Sequence, residues 1–402
     1  MTRHGNRWLL FLSLLLVAAA LGLALLPPGS AARSAACAAP TGWLRIAGEN
    51  GESIPANEVL AGAAAADVVL LGEQHDDEDH HRWQLQVLAG LHALRPQMVV
   101  GFEMFPRRVQ PVLDRWVAGE LSAPALLVQT GWEEVWNFPA AFYLPLFEFV
   151  RINRLPMLAL NVDARLTRAI GDKGWDAVPA SEREGVGRAA PASSAYRDFL
   201  FSVYREHAHG QGGRDSRGFR HFVEAQLNWD RAMAEALAAR LASAQGDGRP
   251  PLVVGVIGSG HLRHGHGVPH QLRALGVGRV VTLLPLAFAE ACREMQPGLA
   301  DALFVLPSKP ALPVPPPRLG VQLEDIAGAG SAVRVQAVTA GSLAEKSGLM
   351  AGDRLLEVAG RPAGKAAAVI ALVRAAAPGT WLPLRVGRGD TTLDIVVHLP
   401  PE

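Results

Sequence analysis

Five short apolar runs, separated by stretches of helical period, constrain this chain more than any other feature. They are Asp67–Leu71, Met98–Phe102, Met157–Leu160, Leu252–Ile257 and Arg279–Leu284. Each is short, rich in Val and Leu, and bounded by glycine or polar residues, as a strand covered on both faces is. After the first run, residues 79–94 place Trp83, Val87, Leu88, Leu91 and Leu94 on one helical face. Further helices are predicted near Val109–Val117 and over Phe142–Arg151. A helical section follows over Ala192–Ala242, with Phe219, Phe222, Val223, Gln226, Met233 and Leu237 as its core stripe. Strands alternating with helices predict an α/β domain: a mainly parallel sheet, helices on both faces and a helical insertion. Thr41–Ala56 reads as an irregular lead-in, and Gly171–Ala195 and His209–Gly218 read as loops.

The polar residues that interrupt the apolar pattern fall at the ends of these strands. Gly72-Glu73-Gln74-His75 follows the first, Glu103 closes the second, Asn161 and Asp163 follow the third, and Gly258-Ser259-Gly260-His261 follows the fourth. In an open parallel sheet, ligands bind beyond the carboxyl ends of the strands. Glu73, His75, Glu103 and His261 are therefore expected to converge on one crevice. Imidazole and carboxylate are the usual ligands of a divalent metal, and a His beside a Glu also makes an acid/base pair. The bland alternatives are that the glutamates cap helix N-termini and that the histidines are hydrogen-bonded structural groups. His80-His81 opens a helix, so one of the two is expected to face solvent. No P-loop, Ser-His-Asp order or dinucleotide fingerprint is present.

The chain has 38 Lys and Arg against 38 Asp and Glu. That balance argues against nucleic acid as a partner, which calls for a basic excess or face. At the N-terminus, Arg3 and Arg7 precede an apolar run, Trp8–Leu26, broken by Pro27-Pro28-Gly29 and followed by small residues. Residues 1–39 thus read as a signal peptide and processing region, or as a signal anchor if uncleaved. Both readings place the protein in the cell envelope, periplasmic or anchored facing the periplasm. Cys37, in Ser34-Ala35-Ala36-Cys37, is a site of lipid attachment in one reading and incidental in the other. A disulfide to Cys292, the second of the two cysteines, is permitted there.

Pro307–Pro317 reads as a stiff extended linker. The predicted organisation is 1–39 for export, 40–300 for the α/β domain, 301–317 for the linker and 318–402 for a small β-rich module. In that module Ser342-x-Ala344, Gly348-Leu349 and Gly352-Asp353 resemble the bacterial PDZ family. The resemblance implies capture of a peptide or protein C-terminus as an added strand, with its carboxylate held by backbone N–H groups. Leu319, Gly320, Val321 and Gln322 match that loop, and Gly320 permits the exposed amides it needs. The helix beside the groove, Ala366–Arg374, is alanine-rich, so small or apolar peptide side chains are expected.

The larger domain also resembles a family. Gly72–His75 with His80-His81, Gly101–Phe105, Asn137 through Tyr143-Leu144-Pro145, Leu160-Asn161-Val162, Ala225–Ala234, and Gly258–His261 with Gly267-Val268-Pro269 look like the ChaN family of haem-binding, iron-regulated proteins. The wider group includes Tiki proteases, TraB-type proteins and erythromycin esterases, which share two Gly-x-x-His motifs. The resemblance implies haem as cofactor, held near the contact of a homodimer, with a tyrosine oxygen on the iron. Of Tyr143, Tyr196 and Tyr204, Tyr143 lies in the best-matching segment, and Trp136 suits a flat apolar ligand. His75 and His261 are expected as further cofactor residues. A metal-dependent hydrolase using Glu73, His75, Glu103 and His261 is the alternative, and a non-catalytic adaptor is the third reading.

Overall fold

In the computed structural model all five apolar runs are strands, and the carboxyl ends of three of them build one site. The described residues are 41–47, 50–207, 212–242, 250–307, 317–326 and 332–400. The N-terminal segment with Cys37, and with it the export, lipid and disulfide readings, lies outside them. The chain divides into two units between Ser308 and Lys309.

The first unit carries strands β1 (Gly42–Ala47), β2 (Asn50–Ser53), β3 (Val68–Glu73), β4 (Met98–Pro106), β5 (Met157–Asn161), β6 (Leu252–Gly258), β7 (Val280–Leu286) and β8 (Ala302–Val305). They form one sheet in the order β2-β1-β8-β7-β3-β6-β4-β5. From β8 to β5 every neighbouring pair is parallel. Two expectations change here. The lead-in over 41–56 is not irregular: β1 and β2 form an antiparallel hairpin, and β1 pairs with β8. Residues 302–305 are not linker: Leu303 and Val305 are buried in the sheet. Four apolar residues beside a proline-dominated stretch give too little periodicity to read as a strand.

Alternation along the strands splits the core between two faces. Val69, Leu71, Val100 and Phe102 pack with Trp83, Leu88, Leu113, Trp116 and Phe147, which come from the helices Glu78–Leu94, Gln110–Val117 and Ala140–Ile152. Val68, Leu70, Val253 and Ile257 pack on the other face with Met233, Leu237 and Leu272, from Arg217–Ala242 and Val268–Ala274. The helical insertion is two helices, Ser194–His207 and Arg217–Ala242, with a small core of their own that includes Tyr196, Leu200, Phe219 and Val223. Among the described residues no helix is long and apolar enough to cross a membrane.

The second unit is an antiparallel sheet in the order β14-β13-β11-β10-β9, with β12 paired to β11. Its strands are β9 (Val321–Ile326), β10 (Ala332–Val338), β11 (Arg354–Val358), β12 (Arg361–Pro362), β13 (Trp381–Arg388) and β14 (Thr391–His398). Two helices, Leu343–Lys346 and Ala366–Ala375, complete it. Val333, Val335, Leu355, Val369, Leu384 and Val397 are its core.

Trp116 tests the packing of the larger unit: it is fully buried and its indole N–H donates to Phe147 O at 3.0 Å. Trp116→Ala is expected to cost about 3–5 kcal/mol in chemical unfolding. Ile152→Ala, at a side chain 76% exposed, should change stability by less than about 0.5 kcal/mol. Equal losses would contradict the assigned core.

Candidate functional site

The site lies where β3, β4 and β6 end. Glu73, the last residue of β3, is buried. Its Oε1 faces His75 Nδ1 at 2.6 Å and accepts the Tyr143 O–H at 2.9 Å, and its Oε2 accepts from Gln84 Nε2 at 2.9 Å. Burial alone would raise its pKa. His81, His75 and Gln84 outweigh that and hold it at about 2. Glu103 does not close β4, which runs on to Pro106. It is fully buried; Oε2 accepts the Gly258 N–H at 2.6 Å, and Oε1 stands 3.6 Å from His261 Nε2. On its other nitrogen, His261 Nδ1 meets Asp230 Oδ1 at 2.6 Å, and Asp230 Oδ2 accepts the Tyr196 O–H at 2.8 Å. Burial would lower the His261 pKa, but Glu103 and Asp230 raise it.

Space for a side chain is tight at the centre. A Cβ on Gly258 would lie 3.0 Å from His75 Nε2 and 3.4 Å from Glu103 Oε2. Both groups therefore crowd one point of the backbone. Gly267 has φ +56°, and a Cβ there would lie 2.3 Å from His261 O and 3.0 Å from Asp230 Oδ1. Only glycine lets that loop close around the His261–Asp230 pair.

A cavity of about 410 Å³ opens onto this cluster, a usual size for a small-molecule site. Its lining is mixed: Glu73, His75, Ser259, His261, Glu206 and Arg263 are among its polar residues, and Phe199, Leu200, Val203 and Trp229 are its apolar ones. His75 Nε2 and Ser259 Oγ are buried without a partner in the protein. His75 is wedged against Trp136 and Phe138, with ring centroids 4.6 and 5.3 Å away, and His261 against Trp229 at 4.8 Å.

The structure thus brings Glu73, His75, Glu103 and His261 together, but not as a metal-ligand set. Among the described residues no three His, Cys, Asp or Glu side chains are grouped to hold a metal ion. Glu73 is occupied by His75, Tyr143 and Gln84 and has no free oxygen to offer. Neither glutamate caps a helix. Asp77 caps Glu78–Leu94, and Asp163 caps Ala164–Lys173. Asn161 donates to Glu103 O, within β4, at 3.0 Å, and it lines a second cavity with Trp136, Phe138 and Asp163. His80 and His81 are both buried, against the expectation for a helix start: His80 Nδ1 accepts the Gln74 N–H at 2.8 Å, and His81 lies 3.5 Å from Glu73 Oε2.

Tyr143 lines neither cavity. It is fully buried, and burial together with Glu73 raises its pKa well above 10. An iron ligand must be a phenolate within reach of the metal, and this phenol is a sealed donor. Sequence reasoning missed Gln84, gave Asp230 no role within the matching segment Ala225–Ala234, weighed Tyr196 only as an iron ligand, and counted Gln226 as core. Gln226 and Asp230 lie four apart on the buried face of an amphipathic helix, which was the available signal.

In the second unit Leu319 is buried, and its carbonyl accepts the Ala344 N–H at 2.9 Å. Gly320 has φ +79°, with Ser342 Cβ only 2.4 Å from where its own Cβ would be. Val321 and Gln322 begin β9, paired with Val338 and Ala337. β9 is the last strand of its sheet order, and Ala366–Ala375 lies beside it, its first N–H donating to Asp325 Oδ1 at 2.6 Å.

The Glu73 shift has a consequence for stability. Its pKa of about 2 lies below the unfolded value of 4.5. Its contribution, on the order of 3 kcal/mol, is therefore present above pH 4.5 and lost as pH falls from there toward 2. Glu73→Gln should flatten unfolding free energy against pH in that window. An unchanged slope would show that other groups carry it.

Comparison with known proteins follows the same division. A family model for haem-binding uptake proteins of the Tiki superfamily, ChaN, matches residues 59–272, more than half of the chain. A PDZ model matches 317–399. No curated protein gives a significant match. Among solved structures, ChaN of Campylobacter jejuni with cofacially bound haem is 18% identical with a TM-score of 0.50, covering 65% of this chain and 96% of that one. At that identity it bears on the fold alone. The HtrA3 PDZ domain with a phage-derived ligand is 25% identical over 20% of this chain and 82% of that one, with a TM-score of 0.19. A serine endoprotease from Yersinia pestis is 23% identical over 20% of this chain and 28% of that one, with a TM-score of 0.18. The chain belongs to the ChaN family of the Tiki superfamily and carries a C-terminal PDZ domain.

Proposed function

We propose that this protein is an exported haem-binding protein of the cell envelope, of the iron-uptake type, whose PDZ domain docks it to a partner. The observation that carries the haem reading is the cavity at the strand ends. It pairs an apolar wall, Phe199, Leu200, Val203 and Trp229, with two buried imidazoles whose Nδ1 atoms are already engaged. That set fits haem, since an imidazole nitrogen is an iron ligand and the porphyrin needs an apolar wall. His261 and His75 would supply the nitrogen, and Trp229 and the helix Ser194–His207 the wall. When bound, the iron supplies a Lewis-acidic, redox-active centre. Trp136 stands behind His75 and keeps that ring in place. Export, anchoring through Cys37 or an uncleaved signal, and a homodimer with haem near its contact belong to the same reading.

Hydrolysis is the second reading, favoured by a different observation. Each Gly-x-x-His imidazole is backed by a buried carboxylate, and Glu103 Oε1 has no hydrogen-bond partner. Such His–carboxylate pairs are acid/base groups as they stand. The PDZ domain would then present a peptide or protein substrate.

Titrating the purified mature protein with haem tests the first reading. A saturable Soret shift is expected. His261→Ala should weaken binding at least about tenfold, or about 1.4 kcal/mol, and Tyr143→Phe should change it much less. Absence of a saturable shift would overturn the haem reading. Peptides with free C-termini test the second unit on the full chain. Amidating the terminus, or Gly320→Val, should lower affinity by about tenfold or more, since capture rests on backbone amides at that loop. Equal binding of free and amidated peptides would refute end-capture.

A further inference from the structure

Two of the three tyrosines stand in matching places that neither reading uses. Tyr143, from Ala140–Ile152, donates to Glu73, which faces His75 Nδ1. Tyr196, from Ser194–His207, donates to Asp230, which faces His261 Nδ1. Every member of both relays is buried. The relays come from different helices and different strand ends, yet each ends on the histidine of a Gly-x-x-His motif.

We infer that Tyr143 and Tyr196 are positioning residues, each clamping a carboxylate so that one imidazole keeps its proton on Nδ1 and leaves Nε2 as a bare lone pair. The reasoning starts from the carboxylate. An ionised carboxylate only accepts, so a ring nitrogen 2.6 Å from it carries the proton. A neutral imidazole has one N–H, so its Nε2 is left as a lone pair. At His261 the Gln226 amide also stands 3.1 Å from Nδ1, but the Asp230 carboxylate at 2.6 Å is the closer partner and an amide can turn its oxygen to an N–H. His75 Nε2 finds no donor or acceptor in the protein. His261 Nε2 has Glu103 Oε1 at 3.6 Å, too far for a hydrogen bond.

Carboxylates oriented in this way fix the tautomer of histidines that bind metals. The phenol supplies what a carboxylate alone lacks. Without it, a buried oxygen loses a donor that water cannot replace, and the carboxylate is free to rotate off the ring. Asp230 shows the arrangement most simply, with one oxygen for the phenol and the other for the imidazole. The chemical class of ligand that follows is an electron-pair acceptor, such as the iron of a porphyrin. The inference rests on the proposed reading only in taking the two histidines as the ligand-facing groups.

The test needs no ligand. The full-length protein, 15N-labelled at histidine, is studied by long-range 1H–15N NMR at a pH where the rings are neutral. The expected result is the Nδ1–H tautomer for both His75 and His261. Tyr196→Phe, which keeps the ring, should shift His261 toward a mixture of tautomers and leave His75 unchanged. Tyr143→Phe should do the reverse, and Tyr204→Phe, outside both relays, should move neither. Nε2–H in the wild type, or no response of His261 to Tyr196→Phe, would overturn the inference. The wild-type spectrum decides even if a variant fails to fold. A relay that responds as expected in a protein that shows no Soret shift would sink the haem reading and leave the clamps standing. Haem binding with unresponsive tautomers would do the opposite.

Discussion

Three carboxylates, Glu73, Glu103 and Asp230, are buried at the carboxyl end of the sheet, and the rest of the site is arranged around them, every oxygen but Glu103 Oε1 having a hydrogen-bond partner. Removing an ion from water costs several kcal/mol even in a relaxed protein interior, so each must collect donors of good geometry. Glu73 takes an imidazole, a phenol and an amide; Glu103 takes a backbone N–H; Asp230 takes an imidazole and a phenol. These donors come from five separate segments of the chain. The glycines follow from the same constraint. Gly258 must bring its N–H to Glu103 while His75 presses on the same backbone, and Gly267 must close against His261 and Asp230.

The strands, their direction and the convergence of their ends were legible because apolar period and strand-end polarity are local signals. The relays were not, because they join residues 70 and 34 positions apart, Tyr143 with Glu73 and Tyr196 with Asp230. Nothing in the neighbourhood of a tyrosine says which carboxylate will reach it. His80 and His81 show the same limit. At the start of an amphipathic helix one of two adjacent histidines ought to face water, but the turn after β3 folds back over both. The hairpin β1–β2 and the strand β8 were lost for another reason: they are short edge elements, fixed by the partner they find and not by their own pattern.

The PDZ domain was easier to read because its determinants are local. Gly320 is confined by its own backbone angle and by Ser342. Ser342 itself caps the short helix that follows, through Glu345 N–H. Both belong to one turn-and-cap arrangement at the end of the groove. A strand edge and a glycine turn are enough to define where a chain end would lie, whatever its sequence.

The Gly-x-x-His motifs do not by themselves decide between haem and hydrolysis. A carboxylate-backed imidazole with a bare Nε2 serves an iron, another metal or a proton equally well. What differs between such ligands is size and polarity, and these are set by the wall facing the imidazoles. Here that wall is Phe199, Leu200 and Val203 from the helix Ser194–His207, with Trp229 from Arg217–Ala242. Both helices belong to the insertion between β5 and β6, and the histidines belong to the sheet. The imidazoles are thus held at the strand ends, and the wall that selects the ligand comes from the insertion, which also carries Asp230 and Tyr196, so that wall and the His261 relay are built on the same two helices.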